Sequence, residues 1–200
     1  MFLKNESCLF KFIFVLLLMY SIKASSNPDT DYKTRILEHL ASLKYFSASF
    51  IQIDGEELSE GKFYIGKNRV RAEYFSPAKI LIILDEDKAM YYNYDLDEDE
   101  FFNPKDTNAW FFYDIFKNPI FFRDGILETN NNELILKKEG FDNEKKNFLI
   151  KIHFENNPLI LRKVEVFIDQ EYLLLSVFNH KHNQSFDKKF FKLINPSFLN

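Results

Sequence analysis

Residues Gly61–Pro77 read GKFYIGKNRVRAEYFSP, and this stretch decides the fold class. Val70, Ala72 and Tyr74 alternate with Arg71 and Glu73, an apolar side against a charged one. Phe63 and Ile65 share one face just upstream. A spacing of two is the period of a β-strand, whose successive side chains point to opposite faces. The stretch therefore predicts two strands with one apolar and one polar surface.

Toward the N-terminus, Phe46, Ala48 and Phe50 alternate with Ser47 and Ser49, up to Ile53. Before that strand a helix is predicted from about Asp31 to Leu43. Tyr32, Ile36, Leu40 and Leu43 fall on one helical face, which Leu37 widens, and Thr30 or Asp31 can cap the start. Toward the C-terminus, Lys79–Leu84 is apolar on both faces, as suits a strand covered on both sides. Lys88–Tyr94 carries Met90, Tyr91, Tyr92 and Tyr94, and Glu133–Lys138 is a short strand. Phe148, Ile150, Ile152 and Phe154 alternate with Leu149, Lys151, His153 and Glu155. Leu159–Ile168 and Glu171–Phe178 read as a hairpin through Asp169–Gln170, and Phe190–Ile194 as a closing strand before Pro196. Strands at such regular spacing predict a meander of roughly ten.

The middle breaks the pattern. Trp110–Phe116 reads WFFYDIF and Pro119–Phe122 reads PIFF. Asp106 or Asn108 can cap a short helix there. Such an apolar helical piece between two groups of strands suits a lid over a sheet, and it suits one more core helix equally. Asp95–Glu100, DLDEDE, starts like a calcium loop, but the Gly and Glu such a loop needs at its sixth and twelfth positions are Glu100 and Asp106. A solvated hairpin accounts for it better.

Lys4 and Lys11 precede an apolar run, and Ala24, Ser25 and Ser26 follow it, the layout of a secretory signal peptide. Leu9–Ile22 is 14 residues, short of the roughly 20 a spanning helix needs. Residues 1–24 are thus expected to be a cleaved signal, with 25–200 as one domain. Without the signal, basic residues fall from 26 to 23 and acidic ones from 30 to 29, leaving a net charge of −6. That sign argues against nucleic acid and against resting on an anionic membrane. Cys8, the single cysteine, precedes the apolar run, so the mature chain has no thiol for a disulfide or a metal.

Apolar residues are 46% of the 200, and 24 residues are Phe, more ring surface than a core of this size needs. Either a bland core or a ligand cavity accounts for it. Catalytic motifs are missing from the sequence. The five glycines stand too far apart for a phosphate-cradling loop, and neither Gly-x-Ser-x-Gly nor His-Glu-x-x-His occurs. His39 lies on the predicted helix, His153 on a strand face, and His180 and His182 form a surface pair too sparse for zinc. No catalytic residue, metal site or cofactor is expected.

Several motifs, taken in order, resemble the LolA family of outer-membrane lipoprotein carriers. They are FSASFIQ at Phe46–Gln52 after a short amphipathic helix, GKFYIGKNRVRAEYFSP, KILIILDEDKAMYYNYD at Lys79–Asp95, and the ending FNHKHNQSFDKKFFKLINPSF. The resemblance covers about Ile36–Phe198. It implies a mainly β, α+β fold: an open, unclosed antiparallel β-barrel of ten or eleven strands, with short helices as a lid over an apolar cavity. It further implies a periplasmic chaperone that shields the acyl chains of lipid-modified proteins. Such a carrier moves them from an inner-membrane ABC-type releasing complex to an outer-membrane receptor, and it is expected to act as a monomer. The family usually has Arg-Pro after the second strand, where the Arg helps latch the lid. Here the place reads Lys67–Asn68, with Arg69 and Arg71 near, so Lys67 and Arg69 are the latch candidates. Lys lacks the planar donor fork of Arg.

Burial of acyl chains contributes about 0.8 kcal/mol per methylene, which a carrier must replace with its own apolar lining. Because Arg71 and Glu73 face out, Val70, Ala72 and Tyr74 are expected to face the cavity, with Phe63, Ile65 and Ile82 as companions. Phe112, Ile115 and Phe116 are the lid candidates. A carrier or sensor of free lipids with the same fold is the alternative. A receptor of this fold needs a lipidated Cys just after the signal, and a hydrolase needs a nucleophile beside a base; the sequence displays neither.

Overall fold

In the computed structural model, residues 28–142 and 144–199 are described. The expected signal peptide lies outside them. The chain divides into a leading unit, Met1–Asp31, and a main unit, Tyr32–Asn200. Of the leading unit, the described residues form the first turn of helix α1 (Pro28–Ser42). Asp29 and Asp31 in that turn complement the positive end of the helix dipole.

The main unit is built on one antiparallel sheet of eleven strands. They are β1 (Phe46–Asp54), β2 (Glu57–Ile65), β3 (Val70–Ser76), β4 (Ile80–Leu84), β5 (Ala89–Asn93) and β6 (Glu98–Phe102), then β7 (Ile126–Asn130), β8 (Glu133–Phe141), β9 (Asn147–Glu155), β10 (Ile160–Ile168) and β11 (Glu171–Lys181). Their order is β6-β5-β4-β3-β2-β1-β11-β10-β9-β8-β7. The chain runs out along one half, crosses back through the segment holding helix α2 (Trp110–Lys117), and returns along the other half. Pairing of β1 with β11 joins the halves, while β6 and β7 remain edges, so the barrel is open.

Turns follow their residues. Gly55, at φ +59°, makes the two-residue turn between β1 and β2. Asp169, at φ +52°, does the same between β10 and β11, and Asp is among the few other residues that accept the left-handed region. At Gly61 the need is for space: an added Cβ would stand 2.4 Å from the Glu73 carbonyl oxygen and 2.5 Å from the Phe50 ring.

One face of the sheet carries the main core. Phe50, Phe63, Val70, Phe148, Ile150, Ile152, Phe154, Val164 and Val177 belong to it. Ile36 and Leu40 of α1, both fully shielded from solvent, join it, as does Leu43 just past the end of the helix. Burying each such side chain contributes about 1.5–3 kcal/mol. The helix is pinned at its flanks: Lys33 Nζ donates to the Gly125 carbonyl at 3.0 Å, and the His39 ring meets Phe154 edge-on at 6.1 Å.

The opposite face has a smaller apolar cluster of Leu81, Ile83, Met90 and Tyr92, covered by Leu193. This is why β4 is apolar on both sides. The predicted closing strand at Phe190–Ile194 does not form. Those residues belong to an irregular strap across the outer face. No sheet edge is free to receive them beside β11, which already pairs with both β1 and β10. Outward-facing arginines hold the strap instead: Arg71 Nη1 donates to the Phe190 carbonyl at 2.6 Å, and Arg69 Nη1 to that of Phe191 at 2.8 Å. Phe186 and Phe190 lie against Tyr64, and Asn195 Nδ2 donates to Asp99 at 2.7 Å.

Candidate functional site: an apolar cavity roofed by a short helix

Period-two alternation sends Phe63 of β2, Val70, Ala72 and Tyr74 of β3, and Ile82 and Leu84 of β4 to the same concave surface. Helix α2 lies over them. Its residues Phe111, Phe112 and Phe116 fall on one helical side and face the sheet, and the Phe116 ring lies tilted against Phe63 with centroids 5.3 Å apart. Phe50, Leu173 and Leu175 supply the remaining wall. Together they enclose about 190 Å³. Two polar groups reach this space, Gln52 and Asn108. The Tyr74 hydroxyl donates to Gln52 Oε1 at 2.9 Å. Burial, reinforced by the charge of Asp54, pushes the Tyr74 phenol up to about 12, so it stays a neutral donor.

The other side of α2 presents Trp110, Tyr113, Asp114 and Lys117 to a separate groove of about 590 Å³, together with Phe121 and Phe148. The helix is thus a partition one helix thick between an oily cavity and a mixed outer groove. Ala109 precedes it without any side-chain cap, so neither Asp106 nor Asn108 caps it as expected. The Thr107 hydroxyl instead accepts from the Ala109 N–H at 3.2 Å.

Of the residues singled out in the sequence, Phe63, Val70, Ala72, Tyr74 and Ile82 meet Phe112 and Phe116 around the cavity. Ile65 and Ile115 do not reach it. Both are fully buried in the core, because the concave surface is covered tightly at their positions. Phe50 joins the lining as well, as the alternation of its strand allows. Leu173 and Leu175 lie in the run YLLL, where apolar residues on both faces hide the period.

The side chains of the two latch candidates lie away from α2. Lys67 has an exposed side chain, and Arg69 Nε binds Asp85 at 2.7 Å while its Nη1 serves the strap, so neither side chain holds α2. The tether runs the other way. Lys117, at the end of α2, donates from Nζ to the Gly66 carbonyl at 2.5 Å and lies 3.5 Å from that of Lys67. The donor is on the helix and the acceptors are in the β2–β3 loop. Burial, with the nearby charge of Lys44, pushes the Lys117 ammonium down to about 8.

Of the histidine pair, His182 is exposed and His180 half-buried. His180 and His182 approach the Phe46 ring at 5.7 and 5.0 Å, close to His39 of α1. Burial, then His182 and His180, holds His39 below the usual imidazole range, and burial lowers His180 as well. His153 is buried on the outer face, with Nδ1 2.8 Å from Glu133 and Nε2 2.8 Å from Glu165. Among the described residues, no group of three or more His, Cys, Asp or Glu side chains is arranged to hold a metal ion. No described helix is long and apolar enough to cross a membrane.

Comparison with known proteins agrees with this architecture. An uncharacterized conserved protein from Thermus thermophilus superposes with a TM-score of 0.52 at 12% identity, over 83% of this chain and 94% of that one. MucB superposes with a TM-score of 0.50 at 8% identity, over 84% of this chain and 63% of MucB, so the chain spans less than two thirds of that protein. These likenesses concern the fold. No curated protein gives a significant sequence match. The sequence itself matches the family described as outer membrane lipoprotein carrier protein LolA over residues 41–194, from the end of α1 to the strap. An open eleven-stranded sheet around an oily cavity, with that match across most of its length, makes this chain a member of the LolA family.

Proposed function

We propose that the protein is a periplasmic chaperone that takes up the acyl chains of lipid-modified proteins and carries them from the inner to the outer membrane. Residues 1–24 serve as its export signal, and 25–200 as the carrier domain. Its partners are an inner-membrane ABC-type releasing complex and an outer-membrane receptor. The observation that carries this reading is the apolar cavity beneath α2. Pockets that enclose a ligand usually measure about 300–1,000 Å³. The roughly 190 Å³ here is therefore a closed state, and an acyl chain enters by displacing α2. That partition rests on aromatic contacts and a lysine tether, both of which can be exchanged for contacts with cargo. When α2 swings outward, the cavity and the outer groove become one larger space.

Phe63, Val70, Ala72, Tyr74 and Ile82 form the acyl-binding floor, and Phe112 and Phe116 form the lid. Lys117 serves as the latch.

Native mass spectrometry of the protein, purified from a periplasm that contains its lipoproteins, tests the reading. A bound species with an acylated Cys peptide is expected. Phospholipid or fatty acid alone, with no lipoprotein under any releasing condition, would overturn it in favour of a free-lipid carrier of the same fold.

A further inference from the structure

The strap and the lid cover opposite faces of the same half of the sheet. The strap follows β11 and crosses the outer face from β1 to β6. The Gln184 N–H donates to the Tyr45 carbonyl at 2.7 Å, just before β1. Leu193 covers the cluster on β4 and β5, and Asn195 reaches Asp99 on β6. Helix α2 lies over β2, β3 and β4 on the inner face. The two meet at the loop between β2 and β3, residues 66–69.

Gly66 is held by both. Its carbonyl accepts from Lys117 Nζ of α2 at 2.5 Å. Against its α-carbon lies the Phe191 ring of the strap: a Cβ added at Gly66 would stand 2.9 Å from two atoms of that ring. Any side chain here would push the ring away, so glycine is what lets it seat. The loop is closed by the Gly66 N–H, which donates to the Arg69 carbonyl at 2.8 Å. The Arg69 guanidinium in turn binds the Phe191 carbonyl at 2.8 Å and Asp85 at 2.7 Å. Phe191 therefore meets the loop twice, by its ring at Gly66 and by its carbonyl at Arg69. A hydrogen bond weakens steeply when its acceptor moves out of line. The strap thus helps to set the carbonyl on which the lid is tethered.

We propose that the strap and the lid form one relay: Phe191, seated on Gly66, holds the β2–β3 loop where Lys117 reaches it, so that displacing the strap frees α2 and displacing α2 loosens the strap. Coupling of this kind is reciprocal, because both movements draw on one shared free energy. Phe191 does not line the cavity, and it acts as a positioning residue through Gly66. The relay belongs to the empty protein and goes beyond the carrier reading without depending on it. In a carrier it displays the state of the inner cavity on the outer face of the sheet.

Hydrogen exchange of the purified protein without ligand tests this. It is read in α2, at the strap amides of Phe190 and Lys192, which donate to the Asp187 and Lys189 carbonyls at 3.0 Å, and in β9 as the reference for global opening. Phe191→Ala should speed exchange in Trp110–Lys117 about threefold, within the range carried through packed contacts. Gly66→Ala, which moves the ring and leaves the strap whole, should act in the same direction. Added to Lys117→Met, Phe191→Ala should speed α2 no further, because the tether it positions is gone. Lys117→Met alone should speed Phe190 and Lys192. Additive effects on α2, or an α2 unchanged by both Phe191→Ala and Gly66→Ala, would overturn the relay. So would acceleration of β9 as large as that of α2 in both variants, since the strap then supports the whole fold. A diacylated peptide, which the carrier reading has displacing α2, should also speed Phe190 and Lys192. If the variants stay coupled but the peptide fails to bind, or binds without that change, the relay stands and entry of cargo by displacement of α2 is overturned.

Discussion

The two helices cover the same concave sheet in different ways. Helix α1 lays Ile36 and Leu40 directly into the core, with Leu43 just beyond its end, and a lysine–carbonyl bond ties its flank to Gly125. Helix α2 lays down phenylalanine rings that meet the sheet only in part and leave about 190 Å³ beneath them. One is a permanent cover and the other a partition that can be moved. The difference comes from side-chain shape: branched aliphatic residues fill a concave sheet, whereas large flat rings bridge it. Stability and function are therefore separated along the sheet.

The comparison can be broken most directly at the two helices themselves. Leu40→Ala should cost about 3 kcal/mol in urea unfolding, since it removes fully buried atoms and leaves a cavity. Phe112→Ala should cost about 1 kcal/mol or less, because that ring already borders empty space, while weakening the binding of an acylated peptide. Equal losses of stability in the two variants would mean that α2 is core and not a lid. Next in size, Lys117→Met should remove one tethering hydrogen bond, about 1 kcal/mol. Hydrogen exchange should then show roughly fivefold faster opening of Trp110–Lys117, with α1 unaffected. Acceleration spread over the whole sheet would show that the tether holds the fold and not the lid.

The smallest effect expected is one of pH, and it belongs to α1. His39 and His180 are both lowered below the ordinary imidazole value of 6.5. The folded protein therefore binds fewer protons than the unfolded chain around pH 6, and stability is present above 6.5 and lost as pH falls through that range. His182 and Arg162 supply further positive charge to the same cluster. Urea midpoints between pH 7.5 and 5.5 should fall for the parent protein and fall less for His39→Gln. Parallel curves would remove the histidine cluster as the cause.

Much of this architecture could be read from local pattern. The alternation of Val70, Ala72 and Tyr74 with Arg71 and Glu73 reflects a strand with two unlike surroundings, and the inward three do line the cavity. The stripe on α1 and the turn at Asp169–Gln170 were visible for the same reason. Edge strands were not: β6, EDEFF, and β7, ILETN, are mostly exposed, so burial imposed no period on them. The strap resembled a strand because Phe190, Phe191 and Leu193 are apolar, yet their partners are side chains on the outer face of the sheet and not a sheet edge.

By itself the sequence determined the sheet, its inward face and the aromatic character of the piece that covers it. These are written in residues one, two or four apart, where backbone geometry translates spacing into direction. Tertiary structure alone decided that Lys117 meets the Gly66 carbonyl, that His180 and His182 meet Phe46 beside His39, and that the Phe191 ring meets Gly66. Those partners are separated by about fifty to over a hundred residues, and only the pairing of β1 with β11 and the return of the chain through α2 bring them together.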